Sequence, residues 1–151
     1  PASASSPLRL LVRGVNWLGD AVMTTPALLR LREARPDAHV TLLTTAALAD
    51  LWLHHPAVDA VMPFSPADGP WAIARRLRGQ RFDAALVLPN SPRSALEVFL
   101  GGIRRRVGYA RPWRNWLLTD RLRPRPGVAL LRPLARRIQP DSSAEGRTKL
   151  A

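Results

Sequence analysis

Hydrophobic positions in this chain fall into short blocks, separated by stretches in which apolar residues recur every three or four places. That is the rhythm of strands and helices taken in turn. Leu8, Leu10, Leu11 and Val12 form the first block, a short buried strand that runs into a polar turn. Residues 27–34 then read as a helix, with Leu28 and Leu31 on its apolar face. Pro26 either opens that helix behind a Thr25 cap or interrupts a longer helix starting at Asp20. Residues 40–44 give a second strand, a short helix through Leu48, Leu51 and Trp52 stops before Pro56, and residues 58–64 give a third strand. Asp68 is placed to cap a helix from Pro70, with Trp71, Ala74 and Leu77 on one side and Gly79 at its end.

Residues 82–88 contain Ala84-Ala85-Leu86-Val87-Leu88, a nearly unbroken apolar run expected where helices cover both faces of a parallel sheet. The polar loop Pro89-Asn90-Ser91-Pro92-Arg93-Ser94 feeds a helix over 94–100 that ends at Gly101-Gly102, and residues 106–109 suit a fifth strand. The alternation implies an α/β, Rossmann-like doubly wound parallel sheet of about five strands flanked by helices, with right-handed crossovers and strand order 3-2-1-4-5. Strands 1 and 4 are then neighbours whose connections leave to opposite faces. A crevice opens at their carboxyl ends, between residues 14–20 on one side and 90–94 on the other.

The segment Arg13-Gly-Val-Asn-Trp-Leu-Gly-Asp20 sets a lone carboxylate in a turn with two glycines, directly after the first strand. Gly14 and Gly19 allow a tight turn and close backbone approach that a side chain would block. Asp20 falls at or near a helix start, where the helix dipole favours negative charge and a carboxylate is able to accept a proton from a substrate hydroxyl. Simple helix capping is the competing reading.

The remaining motifs narrow the chemistry. There is no GxGxxG after the first strand, no GxxxxGK[ST] and no GxSxG, which argues against nicotinamide, P-loop and serine-hydrolase chemistry. Cysteine is absent, and the adjacent pair among the three histidines, His54 and His55, would diverge by about 100° on a helix. No metal site and no cofactor are expected.

The length of 151 residues suits one domain. No apolar run approaches the ~20 residues of a membrane span, and residues 1–7, a flexible lead, carry no signal-type core. The expectation is a soluble, cytoplasmic protein. Of the net charge of +12, residues 104–137 carry +10, with eleven arginines against Asp120 alone. Such a cluster concentrates polyanions, whether phosphorylated sugars, anionic lipid or nucleic acid. A nucleic-acid module, a membrane-surface protein and a non-catalytic remnant are the rival classes. Residues 127–151 read as a basic segment, strand or amphipathic helix, followed by a polar tail expected to be disordered.

Three segments carry a resemblance. Val12-Arg-Gly-Val-Asn-Trp-Leu-Gly-Asp-Ala-Val-Met-Thr-Thr-Pro-Ala27, Leu86-Val-Leu-Pro-Asn-Ser-Pro-Arg-Ser-Ala95 and Arg106-Val-Gly-Tyr-Ala-Arg-Pro-Trp-Arg-Asn-Trp-Leu-Leu-Thr119 closely resemble the ADP-heptose:lipopolysaccharide heptosyltransferases of glycosyltransferase family 9, the heptosyltransferase II group in particular. The likeness runs from about Leu8 to Arg125. It implies the first half of a GT-B fold, an acceptor-binding domain over residues 8–126, and beyond it no match to the donor-binding domain. The resemblance further implies inverting transfer of heptose from ADP-L-glycero-D-manno-heptose to heptosyl-Kdo2-lipid A, with Asp20 as general base. The isolated chain is expected to be inactive.

By the same resemblance Asn16, Trp17 and Gly19 belong to the acceptor pocket, with core packing an equal reading for Trp17. Asn90, Ser91, Arg93 and Ser94 offer donors to acceptor oxygens, with a helix cap as the alternative. Arg111 and Arg114 suit a phosphorylated, carboxylate-rich sugar core, since a guanidinium holds either anion in bidentate fashion. The interleaved Trp113 and Trp116 read rather as packing. The implied partner is the lipopolysaccharide inner core, met peripherally at the cytoplasmic face of the inner membrane, with no dedicated nucleic-acid partner.

Overall fold

Each apolar block becomes a strand, and the strands pair in parallel because every connection between them is long enough to cross a face of the sheet. The computed structural model describes residues 7–123. In chain order these build β1 (Arg9–Arg13), α1 (Leu18–Ala34), β2 (His39–Thr45), a 3-10 turn (Ala46–Leu48) leading into α2 (Ala49–Trp52), β3 (Ala60–Phe64), α3 (Pro70–Arg78), β4 (Ala84–Val87), α4 (Pro92–Leu100), β5 (Arg105–Tyr109), a second 3-10 turn (Asn115–Leu117) and β6 (Asp120–Leu122). The sheet order is β3-β2-β1-β4-β5-β6, all parallel, which bears out the doubly wound arrangement and adds a sixth strand. Sequence patterning misses β6 because it has three residues, two of them charged. Its place is set by backbone pairing, with Val107 opposite Asp120 and Tyr109 opposite Leu122.

Alternation along the strands divides the core in two. Leu11, Leu43, Ala85 and Val87 face α3 and α4, meeting Ile73, Leu77 and Val98. Val12, Val40 and Leu42 face α1 and α2, meeting Leu28 and Trp52. Packing on this α1 side is incomplete among the described residues. Leu10, Leu31, Leu86 and Val107 line an open groove of about 320 Å³ beside α1. The apolar run of β4 is thus covered on both faces, with Leu86 only partly buried on the α1 side.

Of the two readings of Pro26 the longer helix holds, starting two residues before Asp20, while α3 is capped differently from its sequence reading. α1 begins at Leu18, behind Trp17 as N-cap, so Pro26 lies inside a seventeen-residue helix and Thr25 caps nothing. The proline ring removes the amide that would bond the Val22 carbonyl. α3 is capped by Gly69, whereas the Asp68 carboxylate accepts the Ser65 N–H at 2.8 Å and closes the preceding turn. Its inward stripe is Ile73, Ala74 and Leu77. Trp71, two positions before Ile73, is turned about 200° from it and is exposed. The segment 127–151, with its basic stretch and tail, lies outside the described residues.

Candidate active site

β1 delivers the chain into the crevice through Gly14, whose N–H donates to the Leu43 carbonyl at 2.9 Å. A Cβ at Gly14 would meet Leu42 Cδ1 and the Leu43 oxygen at 3.3 Å, so this glycine permits a close approach. Gly19 is different. Nothing lies within 4 Å of the position its Cβ would take, and the space above it is open. Asp20 follows in the first turn of α1, exposed, and its carboxylate makes no ion pair among the described residues. The N-cap, Trp17, makes no side-chain cap hydrogen bond, and Asp20 stands in the first turn, where the helix dipole favours its charge. Trp17 is 76% exposed, which removes it from the core.

Beneath this turn lies a charged group that sequence reasoning missed. Arg13 ends β1 with only 2% of its surface exposed, and Glu97 on α4 is fully buried. Arg13 Nε donates to Glu97 Oε2 at 2.9 Å, and its Nη1 donates to the Gly14 carbonyl and to Asn16 Oδ1. The guanidinium also stacks 4.5 Å from the centre of the Phe64 ring. Arg93 Nε donates to the other carboxylate oxygen of Glu97 at 3.1 Å, while its Nη2 holds the Asp68 carbonyl. Burial pushes the Arg13 guanidinium below its ordinary value, and the Glu97 carboxylate works in the opposite direction. The available signal was a charge at a core-facing position: Arg13 continues an inward-facing strand, and Glu97 sits between Ala95 and Val98 on the apolar face of α4.

The loop after β4 is ordered by its own serines. Ser91 is the N-cap of α4, and its Oγ accepts the Ser94 N–H at 3.2 Å. Ser94 is fully buried, and its hydroxyl donates to the Ser91 carbonyl at 2.8 Å. Asn90 and Arg93 remain exposed.

Arg114 is a strut under the same loop. It is fully buried, donates through Nη1 to the Pro89 carbonyl, and leaves Nε and Nη2 without partners among the described residues. A Cβ at Gly108 would stand 2.6 Å from Arg114 Nη2 and 3.1 Å from the Val87 carbonyl oxygen, so the glycine leaves the guanidinium its place. Trp113 just before it adopts a left-handed φ of 68°. Burial pushes the Arg114 guanidinium below its ordinary value, and repulsion from Arg111 adds to this. Arg111 is half-buried and anchors the turn by donating its N–H to Asn115 Oδ1 at 2.8 Å. Trp113 and Trp116 are exposed, correcting the expectation that they pack internally. Trp116 touches Phe99 edge to face at 5.8 Å.

Part of the arginine cluster is thus spent within the fold. Arg105 pairs with Asp120, and Arg106 donates to the Leu117 and Arg104 carbonyls while stacking on Phe99.

The predicted residues therefore fall into three groups. Asn16, Ser91 and Arg93 converge, with Arg13, Thr45 and Phe64, around a pocket of about 150 Å³ at the carboxyl ends of β1, β2 and β3. Trp17, Gly19 and Asp20 stand at the adjoining start of α1. Asn90 and the buried Ser94 belong to the loop, Arg114 meets it only through Pro89, from below, and Arg111 stays with Arg114 in the turn after β5. Among the described residues no cluster of three or more metal-ligating side chains occurs, and no helix is long and apolar enough to cross a membrane.

The chain is similar in sequence and fold to known proteins. The chain is 34% identical over 119 residues to lipopolysaccharide heptosyltransferase 2 of Escherichia coli K12, and 29% identical to lipooligosaccharide heptosyltransferase 2 of Haemophilus ducreyi. In both cases the match takes in 75% of this chain and 34% of the relative, so the chain spans about a third of their length. The solved structure of E. coli ADP-heptose lps heptosyltransferase II superposes with a TM-score of 0.68 at 32% identity, over 75% of this chain and 34% of that one. A glycosyl transferase family 9 protein from Veillonella parvula shares the fold, with a TM-score of 0.69 at 22% identity over 77% of this chain and 36% of its own. No protein-family model matches the chain.

Proposed function

The chain belongs to the lipopolysaccharide heptosyltransferase family of glycosyltransferases, whose curated members it matches over about a third of their length, and from that premise we propose that it forms the acceptor-binding half of an inverting heptosyltransferase. The acceptor is the lipopolysaccharide inner core, and the donor is ADP-heptose. In the proposed reaction the Asp20 carboxylate takes the proton of an acceptor hydroxyl as that oxygen attacks the anomeric carbon of the heptose. The bond from that carbon to the diphosphate oxygen breaks on the opposite side, and ADP leaves with the bonding electron pair.

The observation that carries this reading is the state of Asp20. It is an exposed carboxylate in the first turn of α1, free of ion pairs among the described residues and bordered by the open space over Gly19. Unlike Glu97 and Asp59, which are held in ion pairs, it is left free beside the turn that follows β1. Trp17, Leu18 and Met23 are exposed around it, an apolar rim that suits peripheral contact with the inner membrane holding a lipid-anchored acceptor.

Two measurements test the proposal. Calorimetric titration with a heptosyl-Kdo2-type core oligosaccharide is expected to show weak, salt-sensitive binding, retained in Asp20→Asn because a base need not contribute to ground-state affinity. Absence of binding at low salt overturns the acceptor assignment. The purified 151-residue chain is expected not to transfer heptose, since its described residues build one Rossmann-like unit and the donor diphosphate needs a second surface. Robust turnover by the chain alone overturns that division of labour.

A further inference from the structure

The pocket at the carboxyl ends of β1, β2 and β3 is cationic in construction. Arg13 and Arg93 both line it, and both are held by the single buried carboxylate of Glu97. Two guanidiniums share one acid, so the group carries surplus positive charge, with Arg13 and Glu97 buried and Arg93 at the exposed mouth. The bonds that Arg13 makes engage Nε and Nη1, and those of Arg93 engage Nε and Nη2. One terminal amino group of each arginine, Nη2 of Arg13 and Nη1 of Arg93, takes no part in them. Asp68, whose carbonyl Arg93 holds, has its own carboxylate engaged by the Ser65 N–H.

An independent observation comes from Thr45, the last residue of β2. Its side chain lines the same pocket, it is 8% exposed, and its hydroxyl is buried with no hydrogen-bond partner among the described residues. A buried hydroxyl without a partner is costly, and a ligand that accepts its hydrogen bond removes that cost. Phe64 pairs in register with Thr45, and its ring lies under the Arg13 guanidinium carbon, 4.5 Å from the ring centre. The free volume of about 150 Å³ equals roughly five water molecules. That is room for a substituent and the carbon bearing it, not for an oligosaccharide.

We propose that this pocket is an oxyanion subsite, in which Arg13, Arg93 and the Thr45 hydroxyl bind a carboxylate or phosphate substituent of the sugar acceptor. That the anion belongs to the acceptor rests on the acceptor-binding reading above; that it is an anion rests on the pocket itself. Glu97 is a positioning residue here, holding both guanidiniums without touching the ligand.

The test is a nuclear magnetic resonance titration of the ¹⁵N-labelled chain with inorganic phosphate, with glucuronate and with neutral glucose. Either anion is expected to shift the Arg13 and Arg93 Nε–H signals and the Thr45 amide saturably, while glucose leaves them in place. Glucuronate alone identifies a carboxylate site, and phosphate alone a phosphate site. Thr45→Val is expected to weaken the anion about tenfold. Its Tm stays level or rises, because the change deletes a hydroxyl that has no partner in the free protein. Arg93→Gln is expected to weaken the anion similarly.

The proposal is overturned if neither anion saturates, if glucose produces the same shifts, or if folded Thr45→Val binds like the parent. Core oligosaccharide that binds while both anions are silent sinks the subsite and leaves the acceptor reading standing. Anions that bind while the oligosaccharide does not sink the acceptor reading and leave the subsite.

Discussion

Glu97 is the residue on which the crevice depends most. It is buried, it neutralises Arg13 at the end of β1, and it sets Arg93 one helical turn away on α4. Replacing one partner of a buried pair strands the other charge, which typically costs about 3–5 kcal/mol. Glu97→Gln keeps the volume and removes the charge, so it is expected to lower stability by about 3 kcal/mol in urea unfolding, with the slope unchanged. A loss under about 0.5 kcal/mol, within the range of ordinary surface substitutions, would show that Arg13 finds solvent instead. Arg30 and Glu33 provide the contrast, an exposed pair at 2.7 Å whose removal is expected to matter little.

Among the elements, the connection between β2 and β3 is the acid-sensitive one. The His55 ring accepts the Ala57 N–H through Nδ1 at 3.2 Å, which requires the neutral ring, and burial pushes its pKa below the ordinary 6.5. Asp59 accepts the Val40 N–H at 2.7 Å and pairs with Arg32 at 2.5 Å. Burial pushes its carboxyl upward, but the Val40 amide and the Arg32 guanidinium outweigh burial and hold it below the ordinary 3.8. Both groups thus have folded values below their unfolded ones, so the unfolded chain takes up protons first as pH falls. Their stabilising contribution is complete above the unfolded values and is lost on acidification, His55 below about pH 6.5 and Asp59 only in strong acid. Thermal unfolding is expected to show a lower midpoint at pH 5.5 than at pH 7.5. In His55→Gln, which cannot titrate, that difference is expected to shrink, and an unchanged difference would assign the effect to another group.

At the scale of the whole molecule, the excess of arginine is less available than the net charge of +12 suggests. Among the described residues Arg106 and Arg114 donate to backbone carbonyls, Arg105 pairs with Asp120, and the charges of Arg13 and Arg93 meet in one small pocket beside Glu97 and are not spread along a surface. A dedicated nucleic-acid surface needs free cations to track phosphates, and its affinity survives at physiological salt. Single-stranded DNA is therefore expected to be retarded by the chain only at low salt in a gel-shift series. Retention at physiological salt would favour the nucleic-acid class instead. Among the described residues, the groove beside α1 and the exposed Trp17, Leu18 and Met23 are further apolar surfaces.

The order of strands and helices was legible in the sequence because it follows from local periodicity, and a parallel sheet with right-handed crossovers leaves few ways to arrange it. Asp20 was legible for the same reason: a polar turn after an apolar strand must lie at the carboxyl edge of the sheet. Tertiary structure alone decided which charges are buried. Arg13 and Glu97 are 84 residues apart and carried no reading of their own, and Arg114 was expected to hold an anionic sugar core. Whether a guanidinium meets solvent or a carbonyl depends on what the rest of the chain brings to it, here a buried carboxylate for Arg13 and the Pro89 oxygen, over Gly108, for Arg114. The same dependence left the Thr45 hydroxyl without a partner in its pocket, a fact that the spacing of residues along one strand cannot express.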